Sequence, residues 1–436
     1  MIDSAKSMPI IGLGAIRHKR YGVQEQDYDF AGDLAISAAP TVVRRCYPAS
    51  LADSRMSPVI PFNLPPESGR EIDLIRDAIA RHQISGGGYY TKACESWLET
   101  ALQAPRALLT HSCTGALEMA ALLAELAPGD EVIMPSFTFV STANAVALRR
   151  AVPVFVDIRP DTLNIDERLI ESAIGPRTRA ILVVHYAGVC AEMDVVCEIA
   201  ERYGLMVIED AAHALMSEYR GRLAGTLGEF ACFSFHETKN VVSGEGGALI
   251  VNRRNLVERA EIIRDKGTNR ARFMQGLVDK YSWVSLGSSY VPSEIVAAFL
   301  RAQLDAIERF TSDRLQTWNY YHAAFADIEK RGHARRPHVP DHTRHNGHLY
   351  YLVLPTPEIR NQLIETLRQE NVHAIFHYVP LHSSEGGRRY GRTSGMLPVT
   401  DQVSACLVRL PLWYGMGEKR ARVADRVLGQ LAALSP

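Results

Sequence analysis

Residues 232–240 read CFSFHETKN and are followed by SGEGG at residues 243–247. The first part is apolar and indicates a buried strand, and the glycines indicate a tight turn. Lys239 lies between the two. A lysine at such a place is expected to point into a site where loss of water lowers the pKa of its amine. Most lysines are solvated surface residues, but this context favours the buried interpretation.

Short apolar runs alternate with helical patterns from about residue 106 onward. This alternation indicates βα units that build a mostly parallel sheet. The fold class is therefore predicted to be α/β, with a mostly parallel seven-stranded sheet in a large domain. The runs predicted as strands are residues 107–109, 131–134, 152–157, 180–185, 205–209, 230–235 and 248–251.

The length of 436 residues and the 47% hydrophobic composition predict two structured domains. The large domain is expected at residues 58–310. A helical stretch, a connection rich in proline and histidine, and a strand-like run predict a smaller C-terminal α/β domain at residues 311–436. Residues 1–57 show no sustained period and are expected to form an N-terminal extension that need not be ordered.

The composition excludes several classes of protein. The formal net charge is −1 and the basic residues are dispersed, which argues against a nucleic-acid partner. Seven cysteines without a C-x-x-C pair favour neither a disulfide framework nor a metal site, and they fit a reducing cytoplasm. No apolar run approaches the roughly 18 residues of a membrane span, and no signal peptide is recognisable.

Two further segments contain candidate functional residues. HSCTGA at residues 111–116 stands between an apolar strand and a helical pattern. Its backbone N–H groups at a helix N-terminus suit a phosphate, although an ordinary helix cap by Ser112 or Thr114 is the simpler alternative.

VIEDAAH at residues 207–213 places Asp210 at the carboxyl end of a buried strand, where open α/β sheets bind ligands. That carboxylate could keep a pyridine nitrogen protonated, or it could cap the next helix.

These segments resemble the DegT-type nucleotide-sugar aminotransferases, which use pyridoxal 5'-phosphate (PLP) and have the aspartate-aminotransferase fold, fold type I. The resemblance extends from about residue 61 to residues 410–412. It also rests on PSFTFVST at residues 135–142 and FHYVPLH at residues 376–382. Within the family, these motifs are most similar to those of enzymes that make dTDP-4-amino-4,6-dideoxygalactose.

The resemblance assigns a role to each matching position. Lys239 would carry PLP as a Schiff base, and Asp210 would contact the ring nitrogen. Phe139 would stack on the ring unless it is a core aromatic, and His213 would lie near the ring hydroxyl. The phosphate would be held by Thr114, Gly115 and Ser234. The candidate substrate contacts, each with an equally probable structural role, are His185, His377 and Tyr378.

The resemblance also implies the substrates and the assembly. L-glutamate is the expected amino donor, a dTDP-linked 4-keto-6-deoxyhexose is the expected acceptor, and at least a homodimer is expected. An acceptor with another keto position or configuration stays open. A PLP-dependent sugar dehydratase is disfavoured because such relatives replace the lysine with histidine. A non-catalytic sensor would have lost Lys239 or Asp210, and a cysteine-dependent lyase would need a mobile-loop cysteine, which is not apparent.

Overall fold

The computed structural model describes residues 58–274 and 276–434. The predicted extension at residues 1–57 lies outside these residues. Within them no helix combines the length and the apolar character needed to cross a membrane.

Thirteen strands occur in the described part of the chain, and eight of them form one central sheet in the order β1-β9-β8-β5-β4-β2-β3-β12. The strands are β1 (Arg106–Thr110), β2 (Glu131–Pro135), β3 (Val152–Val156), β4 (Thr178–Val184), β5 (Met206–Asp210), β6 (Glu218–Tyr219), β7 (Arg222–Leu223), β8 (Phe230–Ser234), β9 (Gly247–Val251), β10 (Thr343–Arg344), β11 (Tyr350–Val353), β12 (Arg392–Thr393) and β13 (Leu407–Leu410).

The same residues contain fifteen α-helices. They are α1 (Glu71–Ala80), α2 (Tyr89–Leu102), α3 (Cys113–Leu123), α4 (Val140–Ala147), α5 (Ile170–Ala173), α6 (Met193–Tyr203), α7 (Val257–Arg264), α8 (Arg270–Met274), α9 (Glu294–Leu304), α10 (Ile307–Ala324), α11 (Ala326–Lys330), α12 (Pro357–Gln369), α13 (Glu385–Tyr390), α14 (Pro398–Cys406) and α15 (Lys419–Leu434).

The predicted α/β fold with a mostly parallel sheet is confirmed. All seven predicted runs are strands of the central sheet, and β9 is antiparallel to both of its neighbours, β8 and β1. The predicted strand number was wrong by one, because β12 adds to the edge beside β3. Only two residues form this strand, and both are exposed, so no apolar pattern marks it. Arg392 of β12 forms an ion pair of 2.8 Å with Glu131 of β2.

The C-terminal part of the chain has an apolar core of its own. Strands β11 and β13 pair antiparallel, and α10, α12 and α15 contribute buried side chains to the same cluster. Ile60, near the start of the described chain, belongs to this cluster. The predicted boundary at residues 310/311 falls within α10, and the division into two domains stays a prediction.

The parallel strands bring chemically active residues to one edge of the sheet. Strand β5 ends at Asp210, β8 ends at Ser234, and α3 begins just after β1. The carboxyl ends of neighbouring parallel strands lie at a common edge, which is where open α/β sheets bind ligands. The fold therefore predicts that these residues share one site.

Gly247 begins β9 directly beside the start of α3. A Cβ atom there would lie 2.4 Å from the backbone nitrogen of Cys113 and 2.4 Å from the carbonyl carbon of Ser112. Backbone atoms cannot yield as a flexible side chain can. We therefore expect Gly247→Ala to lower the free energy of unfolding by about 2 kcal/mol, measured by urea denaturation.

Gly429→Ala is the matched control for this prediction. Gly429 lies in α15, where an added Cβ meets nothing within 4 Å. Alanine is favoured over glycine in a helix by roughly 0.5–1 kcal/mol, so this variant should be as stable as the original or slightly more stable. Equal stability of the Gly247 and Gly429 variants would contradict the close approach of Gly247 to the backbone at the start of α3.

Candidate active site

A cavity of about 610 Å³ opens at the carboxyl edge of the sheet. Eight of the ten predicted site residues line it: Thr114, Phe139, Asp210, His213, Ser234, Lys239, His377 and Tyr378. Gly115 lies in the first turn of α3 and is not part of the lining, and neither is His185. The sheet thus brings together most of the residues that the sequence singled out.

Lys239 follows β8 and reaches into the cavity. Its backbone N–H donates to the carbonyl oxygen of His236 at 2.9 Å, which fixes the turn. Burial lowers the pKa of its amine to about 8, although the neighbouring side chains of Cys113 and Asp210 act in the opposite direction. No ion pair to this amine is found within residues 58–274 and 276–434. A lysine in this state is a nucleophile near neutral pH.

Asp210 is a buried carboxylate whose two oxygens are both held. The Thr142 hydroxyl donates to Oδ2 at 2.8 Å, and the Ala212 backbone N–H donates to Oδ1 at 3.2 Å. Thr142 is itself hydrogen-bonded to Thr138 at 2.8 Å. Burial raises the pKa of Asp210, and among the described residues no cation pairs with it. The carboxylate is therefore oriented and suited to accept a positively charged ring nitrogen.

The N-terminus of α3 forms another wall of the cavity. The Ser112 hydroxyl caps this helix by accepting a hydrogen bond from the Gly115 N–H at 3.0 Å. The ordinary capping role considered for Ser112 is thus observed. Thr114 lies 2.7 Å from the Ser141 hydroxyl, and Ser234 faces the same space. Hydroxyl groups at the positive end of a helix fit a phosphate group, and this role stays a prediction.

Phe139 presents an aromatic ring to the cavity. It is the residue before α4 and is 58% exposed, so it is not a core aromatic. Its position fits the predicted stacking on a planar cofactor ring.

His213 is held neutral in a stack of imidazole rings. Its ring lies 4.2 Å from that of His348, and burial lowers the pKa of His213 well below its usual value. The Ala187 N–H donates to Nδ1 at 3.4 Å, so the proton resides on Nε2. Nε2 faces the Tyr378 hydroxyl at 3.4 Å. His213 can therefore donate a hydrogen bond but carries no charge.

His377 and Tyr378 come from the C-terminal part of the chain and form one side of the cavity. Their rings stack at 3.6 Å, and the Tyr186 hydroxyl is hydrogen-bonded to His377 Nδ1 at 2.8 Å. Burial lowers the pKa of His377 well below its usual value. Tyr378 has a φ of +23°, a strained conformation for a residue with a Cβ. Both side chains line the cavity, and their contact with a substrate stays a prediction.

His185 lies outside the cavity. Its ring is fully buried, with Nε2 2.9 Å from Glu209 and Nδ1 accepting from the Ala191 N–H at 3.2 Å. The carboxylate of Glu209 also accepts three backbone N–H groups from the loop at residues 225–228. His185 therefore has the structural role that the sequence left open as the alternative, since it holds Glu209 and does not line the cavity. A histidine after a buried strand gives no signal that separates these two roles.

Several polar residues of the cavity lining were missed by the sequence reasoning. Arg314, His348 and Arg409 come from the C-terminal half of the chain and meet the cavity only through tertiary packing. Their local sequences carry no motif that marks a site. Thr142, by contrast, lies within the PSFTFVST segment at residues 135–142. That motif marks Thr142 as a candidate site residue, and its hydroxyl contacts Asp210. Within the described residues no cluster of side chains could hold a metal ion.

The lowered pKa of Lys239 gives a direct prediction on the apoprotein. Acetylation by a small electrophile, followed by peptide mass spectrometry, should show a labelling midpoint near pH 8 at Lys239, because burial favours the neutral amine. Asp210→Asn should lower this midpoint further, since the carboxylate favours the charged amine. Lys330, an exposed residue of α11 that forms an ion pair with Asp327, is the internal control. A labelling midpoint for Lys239 equal to that of Lys330 would contradict the claim that burial lowers the pKa of Lys239.

Comparison with known proteins gives a consistent family assignment. The profile of the DegT/DnrJ/EryC1/StrS aminotransferase family matches residues 66–428. An uncharacterised protein of Methanocaldococcus jannaschii is 35% identical over 317 residues, which are 71% of this chain and 81% of that protein. The spore coat polysaccharide biosynthesis protein SpsC of Bacillus subtilis is 33% identical over 330 residues, which are 74% of this chain and 84% of that protein.

A solved structure agrees with this assignment. The aminotransferase TlmJ from Streptoalloteichus hindustanus aligns with a TM-score of 0.80 at 28% identity, covering 86% of this chain and 100% of that one. Enzymes of the matched family use PLP. The cavity fits this cofactor, because it offers a nucleophilic amine at Lys239, a carboxylate without a cation at Asp210 and a helix N-terminus. The chain therefore belongs to the DegT/DnrJ/EryC1/StrS aminotransferase family and is a PLP-dependent aminotransferase with the type I fold.

Proposed function

We propose that this enzyme transfers the amino group of L-glutamate to dTDP-4-keto-6-deoxy-D-glucose and forms dTDP-4-amino-4,6-dideoxy-D-galactose. The observation that carries the proposal is the pairing, in one cavity, of the Lys239 amine with the Asp210 carboxylate. The Lys239 amine is buried away from water, and no cation among the described residues pairs with the Asp210 carboxylate. This arrangement suits covalent catalysis on a carbonyl or an amine.

The roles of the two residues follow from their protonation. PLP, when bound, supplies an electron sink for the charge left when a proton is removed next to an amino group. With a pKa of about 8, Lys239 is neutral in about one molecule in ten at pH 7, so it can bond to an aldehyde and exchange a proton with the substrate carbon. Asp210, oriented by Thr142, would keep the ring nitrogen protonated.

A sugar nucleotide is supported as the acceptor by several observations. The Bacillus subtilis relative is a spore coat polysaccharide biosynthesis protein, which fits a sugar substrate. The cavity volume of about 610 Å³ lies within the usual range of roughly 300–1,000 Å³ for small-ligand sites. The neutral imidazoles of His213 and His377 can hydrogen-bond to sugar hydroxyls without attracting a counter-ion. The dTDP moiety and the 4-keto position rest on the motif resemblance.

The alternatives differ in their chemistry. An acceptor with the keto group at C3, or a product of gluco configuration, needs the same residues, so it is the main competitor. A sugar dehydratase is less well supported, because Lys239 is retained where such relatives have histidine. A non-catalytic sensor is disfavoured because Lys239, Asp210 and the α3 terminus all line one cavity.

A homodimer and a cytoplasmic location belong to the same proposal. Large apolar side chains are exposed along residues 273–274 and 277–286, with Trp283 76% exposed and Met274 72% exposed. Such a surface is unusual unless another chain covers it. Sedimentation should give twice the chain mass of 48.3 kDa. A fully active monomer at working concentration would exclude the dimer.

The decisive assay mixes the PLP-loaded protein with L-glutamate and dTDP-4-keto-6-deoxyglucose. The expected products are 2-oxoglutarate and a 4-amino-4,6-dideoxygalactose nucleotide, identified by mass spectrometry and NMR. Asp210→Asn should lower kcat by about 10²–10⁴-fold, because the ring nitrogen loses its carboxylate partner. Amination at C3, or gluco configuration, would change the substrate assignment but keep the class. No turnover of any keto sugar would refute the proposed function.

A further inference from the structure

His348 lines the cavity but belongs to none of the sequence motifs that predicted the site. Its side chain is buried, and its ring stacks on that of His213 with 4.2 Å between the ring centres. The Nδ1 atom of His348 lies 2.9 Å from Oδ1 of Asn240, the residue after Lys239. His348 thus joins the turn that carries the lysine to the ring of His213.

The orientation of the Asn240 amide is fixed by its second contact. Its NH2 group donates to the backbone carbonyl oxygen of Asn346 at 2.9 Å. A carbonyl oxygen can only accept a hydrogen bond, so the NH2 group must face Asn346, and Oδ1 must face His348. A flipped amide would place its oxygen against the Asn346 carbonyl in a buried position, which is costly.

This orientation decides which nitrogen of His348 carries the proton. An amide oxygen accepts but cannot donate, so the proton shared with Asn240 must reside on Nδ1. Burial lowers the pKa of His348 well below its usual value, so the ring is neutral and has one proton only. Nε2 therefore keeps a lone pair. No hydrogen bond to this atom occurs within residues 58–274 and 276–434.

Neighbouring hydrogen bonds hold the His348 ring in place. The Asn346 side chain donates to the backbone carbonyl oxygen of His213 at 2.9 Å. Arg314, on α10, donates to the backbone carbonyl oxygen of His348. The segment that carries the ring is thus tied both to the turn after β5 and to α10. An acceptor held in this way is preorganised for a ligand.

His213 and His348 present opposite hydrogen-bonding groups to one cavity. Nδ1 of His213 accepts from the Ala187 N–H, so Nε2 of His213 carries the proton and can donate. Nε2 of His348 can only accept. A carboxylate or phosphate oxygen gains nothing at a lone pair, and an ammonium group cannot accept from His213. A hydroxyl group both donates and accepts, so it is the ligand group that matches the stacked pair.

We propose that His348, positioned by Asn240, binds a hydroxyl group of the acceptor sugar through the lone pair on Nε2. This inference deepens the proposed function and rests on it for the use of a hydroxylated acceptor. Asn240 is a positioning residue, because it does not line the cavity and acts by keeping the proton on Nδ1. A site built to bind a hydroxyl discriminates against an analogue that lacks it, since the acceptor in the site is then left unpaired.

Neutron diffraction from crystals of the PLP-loaded enzyme tests the proton position without any variant, because it locates deuterium on imidazole nitrogens. We expect deuterium on Nδ1 of His348 and none on Nε2. In Asn240→Leu, which lacks the amide oxygen, deuterium should appear on Nε2. Deuterium on Nε2 of His348 in the original enzyme would overturn the inference, and an unchanged pattern in Asn240→Leu would refute the positioning role.

Kinetics with the keto sugar test the contact itself. His348→Phe keeps a ring against His213 but removes both nitrogens, so kcat/KM should fall at least tenfold, about 1.4 kcal/mol, mainly through KM. His348→Gln can donate to Asn240 through its NH2 group and offer its oxygen to the cavity, so it should retain more activity. His322→Phe is the matched control and should stay within about twofold, because His322 stacks on Trp318 outside the cavity lining.

Monodeoxy analogues of the acceptor identify the hydroxyl group. With one of them the original enzyme and His348→Phe should differ by less than about twofold, because the contact is absent from both. The apparent Kd of L-glutamate, from single-turnover reaction followed by cofactor absorbance, should be unchanged in His348→Phe, and melting temperatures check that the variants fold.

Several outcomes would overturn the inference. These are turnover of the keto sugar without an effect of His348→Phe, equal losses in His348→Phe and His348→Gln, an equal loss with every deoxy analogue, or weaker binding of glutamate in His348→Phe. Each of them leaves the proposed function standing. No turnover of any keto sugar would refute the proposed function and the sugar contact together, while neutron diffraction would still decide the position of the proton on His348.

Discussion

The chemistry of this protein depends on the desolvation of one amine. Lys239 is held at the end of β8, in a cavity where burial lowers its pKa to about 8. Neighbouring Asp210 is buried, and in the part of the chain that the structure describes it forms no ion pair, so the site holds a nucleophile and an anion that do not neutralise each other. An open, hydrated site would return the lysine to a protonated and unreactive state. The other elements of the fold keep Lys239 and Asp210 in these positions.

The central sheet and the turns at its edge hold Lys239 and Asp210 in place. Parallel pairing of β4, β5 and β8 places Asp210 and Ser234 at the same edge, and Thr142 fixes the direction of the carboxylate. Gly247 allows β9 to pass within contact distance of the backbone that starts α3. The C-terminal part closes the cavity with His377, Tyr378 and Arg409. Rigid strands thus carry the reactive groups, and later segments of the chain shape the substrate space.

The sequence predicted the parts of the structure that depend on local pattern. Apolar runs located all seven long strands, and the segments around Lys239 and Asp210 identified two residues that do line one cavity. What it could not predict depends on tertiary packing. His185 follows a strand just as a ligand-binding residue would, yet Glu209 binds its ring in the interior. Arg409 reads as a polar residue within the apolar LVRL strand, and only the fold brings its charge to the cavity.

The central claim concerns the identity of the covalently bonded residue. Its most direct measurement is borohydride reduction of the PLP-loaded protein, followed by proteolysis and mass spectrometry of the peptides. The account predicts a yellow protein in which the reduced cofactor mass is found on Lys239 alone. A colourless protein in the presence of excess PLP, or a cofactor mass on another side chain, would contradict it.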